Sequence, residues 1–109
     1  MTEKIGGPWL LIDDIRDLNT EAIARTSQIG MKLLQIGDWR CVCFDHDLGD
    51  LSEMNGYQLM CAAVEKGLLP GRVQLVTSNP VGRKNMANLL EKEGYVSKDG
   101  INFFKELGL

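Results

Sequence analysis

The segment Trp9-Leu10-Leu11-Ile12-Asp13-Asp14 is a short apolar run that stops on two carboxylates, and the chain repeats the arrangement twice. Cys41-Val42-Cys43-Phe44 stops at Asp45-His46-Asp47, and Val73-Gln74-Leu75-Val76 stops at Thr77-Ser78-Asn79. Short apolar runs of this kind read as buried strands of a parallel sheet. In an open α/β sheet, ligands sit beyond the carboxyl ends of the strands. The three polar clusters are therefore expected to face one crevice holding four carboxylates, the only histidine and two hydroxyls. Such a donor set suits a hard metal ion together with a phosphate.

Working outward, Gly6-Gly7-Pro8 breaks any helix before the first strand, and residues 1–7 read as a lead-in. Glu21 to Arg25 is a short candidate strand. Thr26 is placed to N-cap a helix with Ile29, Leu33 and Ile36 at helical spacing, ended by Gly37. The stretch between Asp14 and Arg40 has room for one helix only. A second helix is predicted from Gly56 to Lys66, with Leu59, Met60, Ala63 and Val64 on its apolar side. Asn79-Pro80 is an N-cap followed by a proline at the first helical position, and predicts a third helix closed by Gly94. Tyr95-Val96 is a candidate edge strand, and Phe103 to Leu107 a candidate final helix. Strands alternating with helices define a parallel α/β sheet with right-handed crossovers.

The chain has 109 residues, 44% of them hydrophobic, which fits one domain (1–109, core about 8–95) with a real core. Twelve Lys and Arg against fifteen Asp and Glu leave a formal charge of -3, so broad electrostatic adhesion to nucleic acid or anionic membrane is not the default expectation. Met1-Thr2-Glu3-Lys4 lacks the apolar core of a signal peptide, and no apolar stretch approaches membrane-spanning length; a cytoplasmic location without membrane partners is expected. Cys41, Cys43 and Cys61 lack the spacing of a zinc site or redox motif and read as small buried hydrophobes, the first two on one face of a strand.

Paired carboxylates at strand ends repel one another unless a cation lies between them. Asp13, Asp14 and Asp45 are the candidate metal ligands, with Asp47 nearby, and oxygen-only donors favour Mg²⁺ or Mn²⁺ over zinc. Aspartate after a strand also caps turns, so one or two of these residues have a structural alternative. Arg16 can pair with the acidic residues or reach a phosphate. His46 belongs to the one residue type whose ordinary pKa lies near neutrality, and suits a general acid or base. The helix after Asn79 leaves the N–H groups of Val81, Gly82 and Arg83 without intrahelical partners. That turn is a candidate phosphate seat, with Arg83 and Lys84 adding charge and Thr77 and Ser78 hydroxyls.

Leu11-Ile12-Asp13-Asp14-Ile15-Arg16, Phe44-Asp45-His46-Asp47-Leu48-Gly49 and Thr77-Ser78-Asn79-Pro80-Val81-Gly82-Arg83-Lys84-Asn85 resemble the cyclic-phosphate-processing receiver family, a relative of two-component receiver domains. The resemblance spans about residues 8–95. It implies a receiver-like, flavodoxin-like three-layer α/β fold with a mainly parallel sheet and a shortened first half. It also implies an acidic pocket acting as a phosphoesterase on cyclic phosphates, such as RNA 2′,3′-cyclic ends or cyclic nucleotides. Carried onto this chain, Asp13, Asp14 and Asp45 bind the cation, Asp47 assists it or the water, and His46, Ser78, Asn79 and Arg83 handle the phosphate. Signalling receivers carry a lysine after their fifth strand, for which Lys98 is a weak candidate here. Asp45-His46-Asp47 also resembles the DxD of haloacid-dehalogenase-type phosphatases, but the order of the remaining clusters does not.

The leading expectation is a metal-dependent hydrolase with His46, Asp45 and Asp47 as catalytic residues. Thr77, Ser78, Asn79, Gly82, Arg83 and Arg16 would contact the phosphate. The alternatives are a phospho-accepting receiver, with Asp45 as acceptor, and a non-catalytic module that sequesters a nucleotide, as in viral counter-defence.

Overall fold

In the computed structural model, which describes residues 8–105, the apolar runs form the centre of one sheet. β1 (Trp9–Ile12), β3 (Cys41–Phe44) and β4 (Arg72–Leu75) lie side by side and parallel, and β3 is buried along its whole length. β2 (Ala22–Ala24) adds a parallel edge, and β5 (Asn102–Phe104) an antiparallel one, giving the order β2-β1-β3-β4-β5. Ile12 aligns with Phe44, and Phe44 with Leu75. This register brings the residues that follow each strand, Asp13, Asp45 and the Val76-Thr77 pair, to one level at the carboxyl end.

The helices start where side chains can satisfy their free N–H groups. α1 (Ser27–Ile36) is capped by Thr26, whose hydroxyl accepts from the Ile29 N–H. α2 (Gly56–Glu65) opens with a reciprocal box between Asn55 and Gln58. α3 (Pro80–Lys92) has Asn79 accepting from the Gly82 N–H and Pro80 in its first turn. Each cap of this kind stabilises its helix by about 1 kcal/mol.

All three helices pack on one face of the sheet. Leu34, Leu59, Met60, Ala63, Met86 and Leu90 form one buried cluster with Leu10, Ile12, Val42, Phe44, Val73 and Leu75. The handedness of the crossovers explains this. The steps from β2 to β3 and from β3 to β4 run in one direction across the sheet, so right-handed connections place α1 and α2 on the same side. The step from β1 to β2 runs the other way, and residues 13–21 are too few to carry a helix to the opposite side. The expectation of three layers is corrected accordingly: among the described residues the helices form a single layer. On the other face Leu11, Cys41 and Cys43 are fully buried against Trp9, Ile23 and Val76, so the first two cysteines are the buried small hydrophobes expected. Arg72 lies over the Trp9 and Phe104 rings there.

The C-terminal expectation also changes. Tyr95 and Val96 do not begin the strand next to β4; Val96 makes an isolated antiparallel bridge to Phe104. Phe103 and Phe104, expected to start a final helix, belong to β5, while 106 and 107, like the lead-in 1–7, lie outside the described residues. The cause is the turn at Ser97–Gly100. Asp99 accepts from the N–H groups of Ile101 and Asn102, and Gly100 adopts a positive φ of 74°. Asn102 then hydrogen-bonds Arg72 and Gln74 across the strand pair, and Phe103 enters the core. No helix among the described residues is long and apolar enough to cross a membrane.

Candidate functional site

Asp13 is fully buried directly after β1. Its Oδ1 accepts from the N–H groups of Ile15 and Arg16 at 3.0 and 2.8 Å, and its Oδ2 forms a 2.5 Å ion pair with Arg16 Nη1. Arg25 ties the same turn from outside, donating to the carbonyls of Asp13 and Arg16 and pairing with Asp17. Asp45 stands at the same level after β3, its N–H bonded to the Ile12 carbonyl at 2.9 Å. One carboxylate oxygen each from Asp13, Asp14 and Asp45 lies within 4.8 Å of the other two.

Burial pushes the Asp45 carboxyl above its ordinary value, and the Asp13 charge adds to that push; the Thr77 hydroxyl, the His46 N–H and Arg16 oppose it. Three hard oxygens gathered in this way could hold a divalent cation such as Mg²⁺ or Mn²⁺. Two of the three belong to nearly dry side chains, so like-charge repulsion there is weakly screened. The structure thus brings together the carboxylates of Asp13, Asp14 and Asp45.

Of the four carboxylates expected in one crevice, Asp47 behaves differently. It is two-thirds exposed and accepts from His46 Nδ1 at 2.9 Å. That bond, with help from Asn79, holds its carboxyl below the ordinary value. The His46 N–H donates to Asp45 Oδ1 at 2.8 Å, so one turn serves both the acidic cluster and the histidine.

The opening of α3 is more crowded than its sequence suggests. Asn79 Oδ1 accepts the Gly82 N–H at 3.0 Å, and the Arg83 N–H already bonds the Asn79 carbonyl. A Cβ on Gly82 would lie 2.4 Å from His46 Cγ, so the missing side chain makes room for the imidazole ring. Arg83 Nη2 donates to the Thr77 carbonyl at 2.8 Å, and its buried Nε has no partner among the described residues. Thr77 is buried and accepts from the Asn79 N–H, while Ser78 is exposed. Arg16 is engaged with Asp13 and not with the α3 turn. Lys84 is exposed.

Sequence reasoning missed two positions here. A Cβ on Gly56 would fall 1.9 Å from the Asp45 carbonyl oxygen, and the Gly56 N–H donates to the His46 carbonyl at 2.7 Å. Gly49, at φ 80°, passes beside the Asp14 carboxylate. From the sequence Gly56 reads only as the start of a helix. A glycine at the first helical position is the signal that a close backbone approach leaves.

A parallel sheet with an acidic cluster after its first and third strands, and a buried threonine after the next, defines a receiver-like α/β domain. Residues 9–92 match the family described as the cyclic-phosphate processing receiver domain, and the chain belongs to that family. Comparisons with curated proteins and with solved structures returned no match.

Proposed function

We propose that this domain is a divalent-metal-dependent phosphoesterase that opens a cyclic phosphate, either an RNA 2′,3′-cyclic end or a cyclic nucleotide. The observation that carries the reading is the convergence of Asp13, Asp14 and Asp45 within 4.8 Å, with Asp45 on the turn that holds His46. A cation held by those carboxylates would polarise the phosphoryl group and make water a better nucleophile. His46 would move the proton, and Arg83 would balance charge on the phosphoryl oxygens. A ring opening of this kind needs no phosphoryl-enzyme intermediate.

The sheet also bears on the phospho-accepting alternative. Because β5 is antiparallel, its C-terminal end pairs with Arg72 at the amino end of β4, and the Lys105 N–H bonds the Gly71 carbonyl. The lysine after this strand, Lys105, therefore lies at the end of the sheet opposite the carboxylates, while Lys98 precedes the strand, in the turn that leads into it. Incubation with acetyl phosphate and Mg²⁺ should leave the mass unchanged, while a panel of cyclic mono-, di- and oligonucleotides and RNA cyclic ends should include a substrate. A stable mass gain of one phosphoryl group with no turnover would overturn the reading, and tight binding without turnover would favour sequestration.

Arg16 supplies a test of the cation site. Its guanidinium neutralises Asp13, so a divalent cation must compete with it. Mg²⁺ or Mn²⁺ should raise the melting temperature of the wild type by mass action. Arg16→Ala should lower the stability of the metal-free protein yet tighten Mn²⁺ binding several-fold, about 1 kcal/mol for a half-exposed pair. Calorimetry showing no binding of either ion at millimolar concentration, or weaker binding in the variant, would contradict this assignment.

Arg83→Ala should weaken phosphate-containing ligands by about 1.5–3 kcal/mol, the scale of a hydrogen bond to a charged group. A titration of wild type and variant with the same nucleotide reads the difference. Unaltered affinity would remove Arg83 from the phosphate site.

A further inference from the structure

We propose that Asp47 and Gly82 are positioning residues for His46, fixing its ring in the Nδ1–H tautomer and presenting Nε2 as the working nitrogen. The inference deepens the phosphoesterase reading and rests on it only for the consequence in turnover.

The tautomer follows from counting donors. Asn79 Oδ1 accepts from the Gly82 N–H at 3.0 Å, which turns the Nδ2 amide group toward His46 and Asp47. That group lies 3.4 Å from His46 Nδ1 and 3.3 Å from Asp47 Oδ2. An ionised carboxylate only accepts, and an amide nitrogen only donates. The 2.9 Å contact between Nδ1 and Asp47 therefore requires the proton on Nδ1. With Nδ1 a donor, Asn79 Nδ2 can give its proton only to Asp47. The two contacts to Asp47 agree on this assignment, the 3.4 Å approach of Asn79 Nδ2 to Nδ1 then being no hydrogen bond, and in the neutral ring it leaves the lone pair on Nε2. Nε2 has no hydrogen-bond partner among the described residues and is not among their buried unsatisfied atoms, so it remains open to solvent or substrate.

Gly82 fixes the ring's place. A Cβ there would meet Cγ, Cδ2 and Cβ of His46 at 2.4, 2.5 and 2.9 Å, so the α3 backbone is the wall against which the imidazole rests. On the other side, the His46 carbonyl is held by the Gly56 N–H. The histidine is thus set between the first turns of two helices, with Asp47 gripping the ring nitrogen that faces away from Nε2. In this arrangement Asp47 acts through His46 and contributes no ligand to the acidic cluster. Gly82 serves the ring before it serves any phosphate.

Long-range ¹H–¹⁵N correlation spectra of the labelled, metal-free protein, recorded where the ring is neutral, report the tautomer without any substrate. The wild type should show a protonated Nδ1 and an unprotonated Nε2. Asp47→Ala, at an exposed position where folding is not at stake, should release the ring to a mixture of tautomers. Asp47→Asn, which keeps an acceptor oxygen, should retain the Nδ1–H form. Gly82→Ala should stay folded but move the His46 ring resonances, because the ring can swing away from the added methyl.

A wild-type ring with its proton on Nε2, or an Asp47→Ala spectrum identical to wild type, would overturn the proposal. With a cyclic-phosphate substrate in hand, Asp47→Ala should lower kcat by about 10–100-fold, the range for residues that orient a working histidine, with KM little altered. A fixed tautomer in a protein that turns over no cyclic phosphate would uphold the positioning and discard the phosphoesterase.

Discussion

His46→Ala is expected to lower turnover of a cyclic phosphate by about 10²–10⁴-fold, the range of general acid–base assistance, while substrate affinity changes much less. Opening the ring requires one proton to leave the attacking water and another to reach the departing alkoxide. In this site the one imidazole is His46, held by Asp47 and seated on Gly82. The residual rate is expected to come from the acidic cluster. Asp45→Asn should therefore cost more than His46→Ala, because it removes one of the three converging carboxylates. Steady-state kinetics on a single cyclic substrate, with circular dichroism to confirm folding, make the comparison. Full activity in His46→Ala would leave the histidine a structural role only. Loss of binding in a protein that never turns substrate over would favour the sequestering alternative.

The largest effect on stability is expected at Gly56. An alanine methyl there would sit 1.9 Å from the Asp45 carbonyl oxygen and 2.9 Å from the His46 Cα. Both obstacles are backbone, and the 2.7 Å hydrogen bond from the Gly56 N–H to the His46 carbonyl prevents the helix from backing away without loss. Overpacking of this severity lies at the upper end of the usual range, about 3 kcal/mol. At about 4 °C per kcal/mol for a chain of this size, the melting temperature should fall by roughly 12 °C. Gly82→Ala meets side-chain atoms of His46, of which the two nearest can rotate away and Cβ at 2.9 Å must shift slightly, and should cost less stability. A Gly56→Ala variant melting with the wild type would show that the approach of α2 to Asp45 is looser than described.

Much of this arrangement was legible because strand burial and helix capping are local. Leu10, Leu11 and Ile12, or Val42, Cys43 and Phe44, have no partner but a sheet core, and Thr26 and Asn79 cap the helices that follow them. The meeting of Asp13 with Asp14 and Asp45 followed from parallel strands in register. What escaped was set by non-local geometry. Phe103 and Phe104 fit a helix or a strand equally in sequence; Asp99-Gly100, a hairpin signal, decides for the strand and was passed over. The single helical layer depends on the direction of the β1-to-β2 step across the sheet, which no run of residues displays.

The site differed for a similar reason. Sequence spacing shows which side chains approach one another, but not which contacts are already taken. Arg16 could have faced a phosphate and instead neutralises Asp13. The Gly82 N–H, read as free for an anion, is occupied by Asn79, and the space above it by His46. Asp47, expected to assist the cation or the water, turns to the histidine.

The bond between Gly56 and His46 also bears on chemical ageing. Asparagine followed by glycine is the dipeptide most prone to spontaneous deamidation, because the unhindered glycine nitrogen can attack the asparagine side chain and close a succinimide. In the folded domain that nitrogen is committed to the His46 carbonyl, and the Asn55 side chain to the Gln58 N–H. Neither reacting partner is free to reach the other. Deamidation at Asn55 should accordingly accumulate only during time spent with α2 detached, so the aspartate and isoaspartate content of a stored sample becomes a clock for local opening at the edge of the site.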